Sequence, residues 1–405
     1  MVSWRAGSAH EPNDRSQLSN AAKSTGALTV HPEVRKLARM ALRKTIPNAA
    51  DAASYPDSAA ERDRWILAQR GERNNVDQTR PSAFLVEQER DETGEVVPVA
   101  TLFLTNRECP WRCLMCDLWK NTLTESVPAG AVPAQIDFAL SQLPPARQIK
   151  LYNSGSFFDP RAIPAEDLPA IAERVREFER VIVECHPSLV GESALRFRDL
   201  LAGSDSSRRR EKADIVRKAG NPPSYVGGYR APAKLEVAMG LETVHPEVLP
   251  RLNKRMTPDQ FSRAAEFLRL HDIALRVFVL VKPPFLDEAE ALEWAKRSTD
   301  FAFDCGASVV SLIPTRPGNG ALESLAARGE FSPPRLSTLE AAFDYGIGLR
   351  RGRVFADTWD LEKFSNCTAC FTARRQRLER MNLSQSPENK ASCDACSELE
   401  FGAPG

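Results

Sequence analysis

Residues 97–119 read VPVATLFLTNRECPWRCLMCDLW, an apolar run that ends in three closely spaced cysteines. Cys109, Cys113 and Cys116 follow the order Cys-x3-Cys-x2-Cys. The chain has nine cysteines, and three of them fall within eight positions. Three thiols cannot all pair as disulfides. Four more form two Cys-x2-Cys pairs, Cys367 with Cys370 and Cys393 with Cys396, separated by 22 residues. Cys185 and Cys305 stand alone and read as buried structural thiols.

Around this stretch the chain has 405 residues, 42% hydrophobic and 27% charged, as in an ordinary globular protein. Lysine plus arginine and aspartate plus glutamate both number 54. The balance gives no global argument for nucleic-acid binding, which usually shows as a basic excess. No apolar run approaches the roughly 18–20 residues that span a bilayer. MVSWRAGSAHEPNDRSQLSN, residues 1–20, lacks an apolar leader core. The expectation is a cytoplasmic protein without membrane partners. Thiols stay reduced there, and clustered cysteines bind metal or do chemistry.

The pattern predicts a disordered tail over 1–30, and helices and a hairpin strand over 31–96. HPEVRKLARMALRKTI and SAAERDRWILAQRGER are the helices. SAFLVEQERDETGEVVPVATLFLTN reads as two strands joined by a turn at Glu92–Glu95. Six strand segments then alternate with helical ones: 99–106, 147–153, 180–185, 234–239, 274–281 and 308–313. Alternation of this kind argues a parallel sheet with helical crossovers. The expected fold is α/β, a partial (βα)6 TIM-type barrel over 97–325. A basic, Gly/Pro-rich insertion interrupts it at 203–232. Helices and a four-cysteine metal-binding region occupy 326–405. In such barrels the chemistry sits on the loops after the strands. Here those exits read ECPWRCLMC, SGSFFD, HPS, GLET, KPPF and PTRPGNG, and in such a barrel all would face the same end.

Iron–sulfur cubanes usually take four thiolates, so three leave one iron open to another ligand. S-adenosylmethionine can chelate that iron through its amino and carboxylate groups. An electron passed into its sulfonium then releases a 5′-deoxyadenosyl radical. Zinc prefers four ligands in paired spacing, and no fourth Cys or His lies nearby. The Cys-x3-Cys-x2-Cys loop after a first strand resembles the signature of the radical S-adenosylmethionine superfamily. Met115 replaces the aromatic residue that often precedes the last cysteine.

The other exits supply the remaining candidates. By position, Asn153, Ser154, Gly155 and Ser156 resemble the superfamily loop whose backbone holds the cofactor's methionine amino group; a plain turn is the bland alternative. Glu242 is a candidate for a ribose hydroxyl, and Lys254 or Arg255 for the cofactor carboxylate. Lys282 and Phe285 are candidates for the adenine region or the substrate, and Asp287 for a helix cap. Glu184 and His186 are the candidate catalytic residues, contacting substrate or cofactor.

LTNRECPWRCLMC, SGSFFDPRAIP, GLET, LNKRMTPDQFSRAAEF, LVKPPFLDEAEA and ARGEFSPPRL together resemble the archaeosine-forming tRNA-modifying enzymes of the superfamily, in its elongator and methylthiotransferase branch. The resemblance runs from about residue 60 onward. It implies hydrogen abstraction that splits a lysine-modified 7-deazaguanine base of tRNA to leave an amidine. It also places Asn253 with Lys254 and Lys282 in the cofactor site, and implies a reductant such as flavodoxin or ferredoxin. The chain departs from the pattern at Cys185–Pro187 and in the 203–232 insertion. The same chemistry on a small metabolite or peptide is one alternative; a non-enzymatic zinc-binding RNA-recognition protein is the other. The paired cysteines Cys367, Cys370, Cys393 and Cys396 fit either zinc or an auxiliary iron–sulfur cluster. FTARRQRLERMN beside them is basic and helical, a candidate contact for RNA phosphates or simply a solvated face.

Overall fold

Strands buried on both faces need apolar residues on one side and a matched set on the other. The computed structural model, which describes residues 54–203 and 231–396, shows how this chain meets that demand. The tail, the helix read at HPEVRKLARMALRKTI and the body of the basic insertion lie outside the described residues. The sheet has eight strands in chain order: β1 Ala83–Arg90, β2 Val96–Phe103, β3 Gln148–Tyr152, β4 Arg180–Glu184, β5 Lys234–Glu242, β6 Ala274–Val281, β7 Val309–Pro314 and β8 Arg353–Ala356. β1 and β2 form an antiparallel hairpin, Ala83 facing Phe103 and Arg90 facing Val96. Asp91 shapes its turn by accepting from the backbone N–H of Thr93 and of Glu95, each at 2.9 Å. From β2 to β8 every pairing is parallel. The curled sheet makes a partial barrel.

Nine helices among the described residues matter here: α1 Ala59–Gln69, α2 Ala131–Leu140, α3 Leu168–Val175, α4 Glu192–Leu201, α5 Pro258–Leu270, α6 Glu288–Asp304, α7 Ala321–Ala326, α8 Leu336–Gly348 and α9 Thr368–Ser384. Parallel strands need such crossovers. Capping fixes where α5 and α6 start. Thr257 with Gln260, and Asp287 with Glu290, form reciprocal capping boxes. Asp287 therefore has the capping role its sequence suggested.

One face of the sheet meets the helices through Leu102, Leu151, Val183, Val237, Val279 and Leu312, all buried. The inner face has two layers. Near the strand exits it is apolar, with Phe103, Tyr152, Ile182, Ala238, Phe278 and Ile313. Below them the barrel floor is ionic. Arg276 Nε donates to Glu236 at 2.7 Å and its Nη2 to Glu89 at 2.5 Å. Lys150 reaches Glu89 at 2.6 Å and Glu87 at 2.8 Å. Arg180 lies 3.3 Å from Glu236. These residues alternate with apolar ones because successive side chains point to opposite faces.

β8 adds a seventh parallel strand that the sequence reading did not contain. It is an outermost strand, and such an edge exposes unpaired backbone groups. Two side-chain amides from the end of α9 cover it. Gln385 accepts from Val354 N–H and donates to Val354 O, both at 2.8 Å. Asn382 does the same at Ala356, both bonds at 2.9 Å. The arginines of α9 are not an open basic face: Arg374 pairs with Glu340, Arg375 with Glu379, Arg377 with Asp344 and Arg380 with Glu388.

Candidate active site

The cysteine loop leaves β2 and is fastened from three directions. Leu114 N–H donates to Leu252 O at 2.9 Å. Asn253 Nδ2 donates to Arg112 O and to Asp63 Oδ1 of α1, each at 2.8 Å. Asn319, at the β7 exit, donates to Leu114 O at 2.6 Å and Cys116 O at 3.3 Å. At the loop's start, Glu108 gathers three guanidinium groups: Arg70 at 2.7 Å, Arg112 at 2.9 Å, and Arg73. Arg70 also lies over the Trp119 ring at 4.7 Å. The loop is thus held to the rest of the barrel by its backbone and by the Glu108 carboxylate; Cys109 Sγ makes a contact inside the loop, to Trp111 O at 3.6 Å. Cys109 and Cys113 are buried and Cys116 is half-buried. Burial pushes the Cys109 thiol up to about 12 and raises Cys113 and Cys116 as well. A metal that binds them must displace their protons.

The Asn153–Ser156 loop abuts the first cysteine. A Cβ on Gly155 would stand 3.0 Å from Cys109 Cβ, so only glycine allows this approach without a shift. Glu184 shapes the loop from β4. Its carboxylate accepts from Asn153 N–H at 2.6 Å and Gly155 N–H at 3.2 Å. Burial raises the Glu184 carboxyl above its ordinary range. Ser156 Oγ accepts from His186 N–H at 2.8 Å. Asn153 is fully buried, and neither its side-chain oxygen nor its nitrogen has a partner. Buried amides are rarely left so, which singles Asn153 out within the loop.

At the β5 exit Glu242 and Lys254 form a buried ion pair at 2.7 Å. Gly240 makes room for it: a Cβ there would fall 2.2 Å from Glu242 Oε1. For Glu242, burial raises the carboxyl but the Lys254 ammonium outweighs it, and the net shift is downward. The same ammonium opposes the effect of burial on Cys113. Arg255 turns outward to Asp63 at 2.5 Å. Of the two cations offered for the cofactor carboxylate, Lys254 is the one at the cysteines.

His186 stacks on Trp111 with ring centroids 3.9 Å apart. Its Nε2 lies 3.0 Å from Lys254 O, and its Nδ1 accepts from Ser188 N–H at 3.2 Å. A carbonyl can only accept, so Nε2 carries the proton. Burial, then the Lys254 charge, lowers the His186 pKa to about 3. Its ring is therefore neutral and both nitrogens are engaged by protein. Lys282 sits apart at the β6 exit, donating to Glu288 and Ser332, each at 2.8 Å. It shares a cleft with Arg251, Phe285 and Glu330. Sequence reasoning missed Glu108, Trp111 and Asn319, which hold the cysteine loop. Asn319 had a signal, since PTRPGNG is a polar strand exit, but nothing in its neighbours names the loop it reaches.

No family model matches the chain. Over 331 residues it is 23% identical to an uncharacterised protein of Methanocaldococcus jannaschii, a match covering 76% of this chain and 82% of that one. Over 333 residues it is 25% identical to archaeosine synthase subunit beta of Methanosarcina acetivorans, covering 76% and 85%. Among solved structures, the radical S-adenosylmethionine methyltransferase TsrM of Kitasatospora setae matches with a TM-score of 0.37 and 18% identity, over 56% of this chain. The chain spans 38% of that protein's length. No helix among the described residues is long and apolar enough to cross a membrane. The cysteine loop opens at the end of a partial barrel, where such folds do their chemistry, and over most of its length the chain is similar to archaeosine synthase subunit beta of Methanosarcina acetivorans.

Proposed function

We propose that Cys109, Cys113 and Cys116 hold a [4Fe–4S] cluster, that S-adenosylmethionine binds beside it, and that the substrate is a lysine-modified 7-deazaguanine base of tRNA on its way to archaeosine. The observation that carries the substrate is the likeness to archaeosine synthase subunit beta over 85% of that relative. The donor set suits the cluster. Three thiols line one loop, Cys109 and Cys113 buried and Cys116 half-buried, and they are not gathered into a tight group as the four C-terminal cysteines are, whose ligand atoms all lie within 4.8 Å. A cubane, with one thiolate per iron, wants that wider spread. When bound, cluster and cofactor supply a 5′-deoxyadenosyl radical that takes hydrogen from substrate carbon.

The chain's own residues then do simpler work. The unpartnered Asn153 amide offers one donor and one acceptor to the amino-acid end of the cofactor. Glu184 keeps the Asn153–Ser156 backbone in place for it. Lys254, oriented by Glu242, balances negative charge at Cys113. His186 and Trp111 brace the cysteine loop against the Lys254 backbone. Glu184 and His186 thus act as positioning residues. Lys282, Phe285 and Arg251 line the way in for substrate. An electron donor of flavodoxin or ferredoxin type and a second subunit complete the system.

The test is anaerobic turnover of the iron- and sulfide-reconstituted protein with S-adenosylmethionine, a strong reductant and tRNA. We expect 5′-deoxyadenosine to form with tRNA carrying the lysine-modified base and the tRNA nucleoside to change mass to the amidine. Deoxyadenosine without any change in the tRNA would overturn the substrate and leave the chemistry. A second expectation concerns Asn153→Ala. Deleting an unsatisfied buried amide should leave the melting temperature unchanged or raised, since such a group costs about 1–3 kcal/mol. Calorimetric affinity for S-adenosylmethionine should fall at least about tenfold. A loss of stability with intact affinity would remove Asn153 from the cofactor site.

A further inference from the structure

We infer that Cys367, Cys370, Cys393 and Cys396 hold one zinc ion, and that this ion fastens the helix that covers the outer edge of the barrel. Cys367 Sγ lies 3.8 Å from Cys393 Sγ, and Cys370 Sγ lies 3.6 Å from Cys396 Sγ. All four sulfurs fall within 4.8 Å of one another. Zinc–sulfur bonds of about 2.3 Å in a tetrahedron put sulfurs about 3.8 Å apart. A cluster of two or more irons sets its thiolates on different metals, and no such cluster keeps all four sulfurs this close. The geometry is that of a single ion in a closed site. Zinc(II) stands above iron(II) in affinity for a given site, and thiolates favour it.

The second half of the inference follows from where the ligands sit. Cys367 caps the N-terminus of α9 and Cys370 lies in its first turn. Cys393 and Cys396 come from the segment that returns along the helix. Arg377 ties that segment down by donating to Glu388 O at 2.7 Å and Asn389 O at 3.1 Å. Arg374, hydrogen-bonded to Cys370 and paired with Glu340, offsets charge at the four thiolates. The far end of the same helix carries Asn382 and Gln385, which pair with the β8 backbone. It also touches the opposite edge: Arg90 of β1 donates to Leu383 O at 3.1 Å, and Arg353 of β8 donates to Arg90 O at 3.0 Å. One helix therefore bridges the first and last strands, with the metal ligands at its anchored end.

Two measurements test this on the full chain, neither depending on turnover. Elemental analysis after anaerobic purification and iron–sulfide reconstitution should give one zinc per chain, retained in Cys113→Ala. Zinc replaced by additional iron and sulfide in Cys113→Ala would overturn the ion's identity, and a protein that keeps β8 protected with no metal at all would overturn the site. Hydrogen exchange should then show the Val354 and Ala356 amides speeding up at least tenfold in Cys393→Ser, with the β4 amides unchanged. If Cys393→Ser loses zinc while those two amides stay protected, the ion does not govern the edge. Gln385→Ala controls for general unfolding: it should loosen Val354 while keeping its zinc, and loss of zinc there would count against the ion as the anchor.

Discussion

Cys113→Ala should abolish 5′-deoxyadenosine formation and lower bound iron by about four atoms per chain, while the fold survives. The survival follows from how the loop is held. Its position rests on the Leu114 N–H to Leu252 bond and on the Asn319 and Asn253 amides, none of which uses the thiol. Cys113 is almost fully buried among apolar neighbours such as Leu114 and Leu252, so a methyl group there leaves a small void worth about 1 kcal/mol. Iron determination, chromatography of the nucleoside and a thermal melt together decide it. A melt lowered by much more than this would assign the thiol a structural role. Deoxyadenosine production at the parent rate would remove Cys113 from the cluster.

Glu236→Gln should cost about 3–5 kcal/mol, the usual penalty for removing one partner of a buried ion network. Glu236 is fully buried, and it faces Arg276 at 2.7 Å, Arg180 at 3.3 Å and Arg353 at 4.0 Å. Its amide would leave three guanidinium groups short of charge. Urea midpoints at constant m-value give the measurement. The same network sets an acid limit. Burial alone would raise the Glu89 and Glu236 carboxyls, but Arg276, with Lys150 at Glu89 and with Arg180 at Glu236, outweighs it and holds both below their ordinary value of 4.5. A carboxyl depressed in the folded state stabilises above its unfolded pKa and loses that contribution as pH falls through the folded one. Stability should therefore decline as pH drops below 4.5, and Glu236→Gln should flatten that decline. An unchanged slope would place the acid sensitivity elsewhere.

The cysteine loop and the βα alternation were legible in the sequence because both are local. A short loop must carry its ligands within a few residues, and a strand announces itself over five to eight. β8 was not legible: it is four residues long and set in RRGRVFADTW, where polar neighbours hide it. The barrel floor was hidden for a different reason. Lys150, Glu236 and Arg276 alternate with apolar residues just as a solvent-facing side would, and only strand pairing brings the opposite charges together. Likewise FTARRQRLERMN looked basic because Glu340 and Asp344, two of its carboxylate partners, lie on another helix. For Glu184 and His186 the sequence supplied a place but no partners. Position put them at the mouth, but a backbone amide 31 residues away and a carbonyl 68 residues away are what they touch.

The cover over β8 has a consequence for how the protein is born. Asn382 and Gln385 emerge from the ribosome after the strand whose backbone they satisfy. Through that interval the nascent sheet presents a sticky margin that any neighbouring polypeptide can extend. Until the helix arrives, Arg353–Ala356 lacks the amides that satisfy it, so cover of that strand during synthesis would guard the chain against joining a neighbour's sheet.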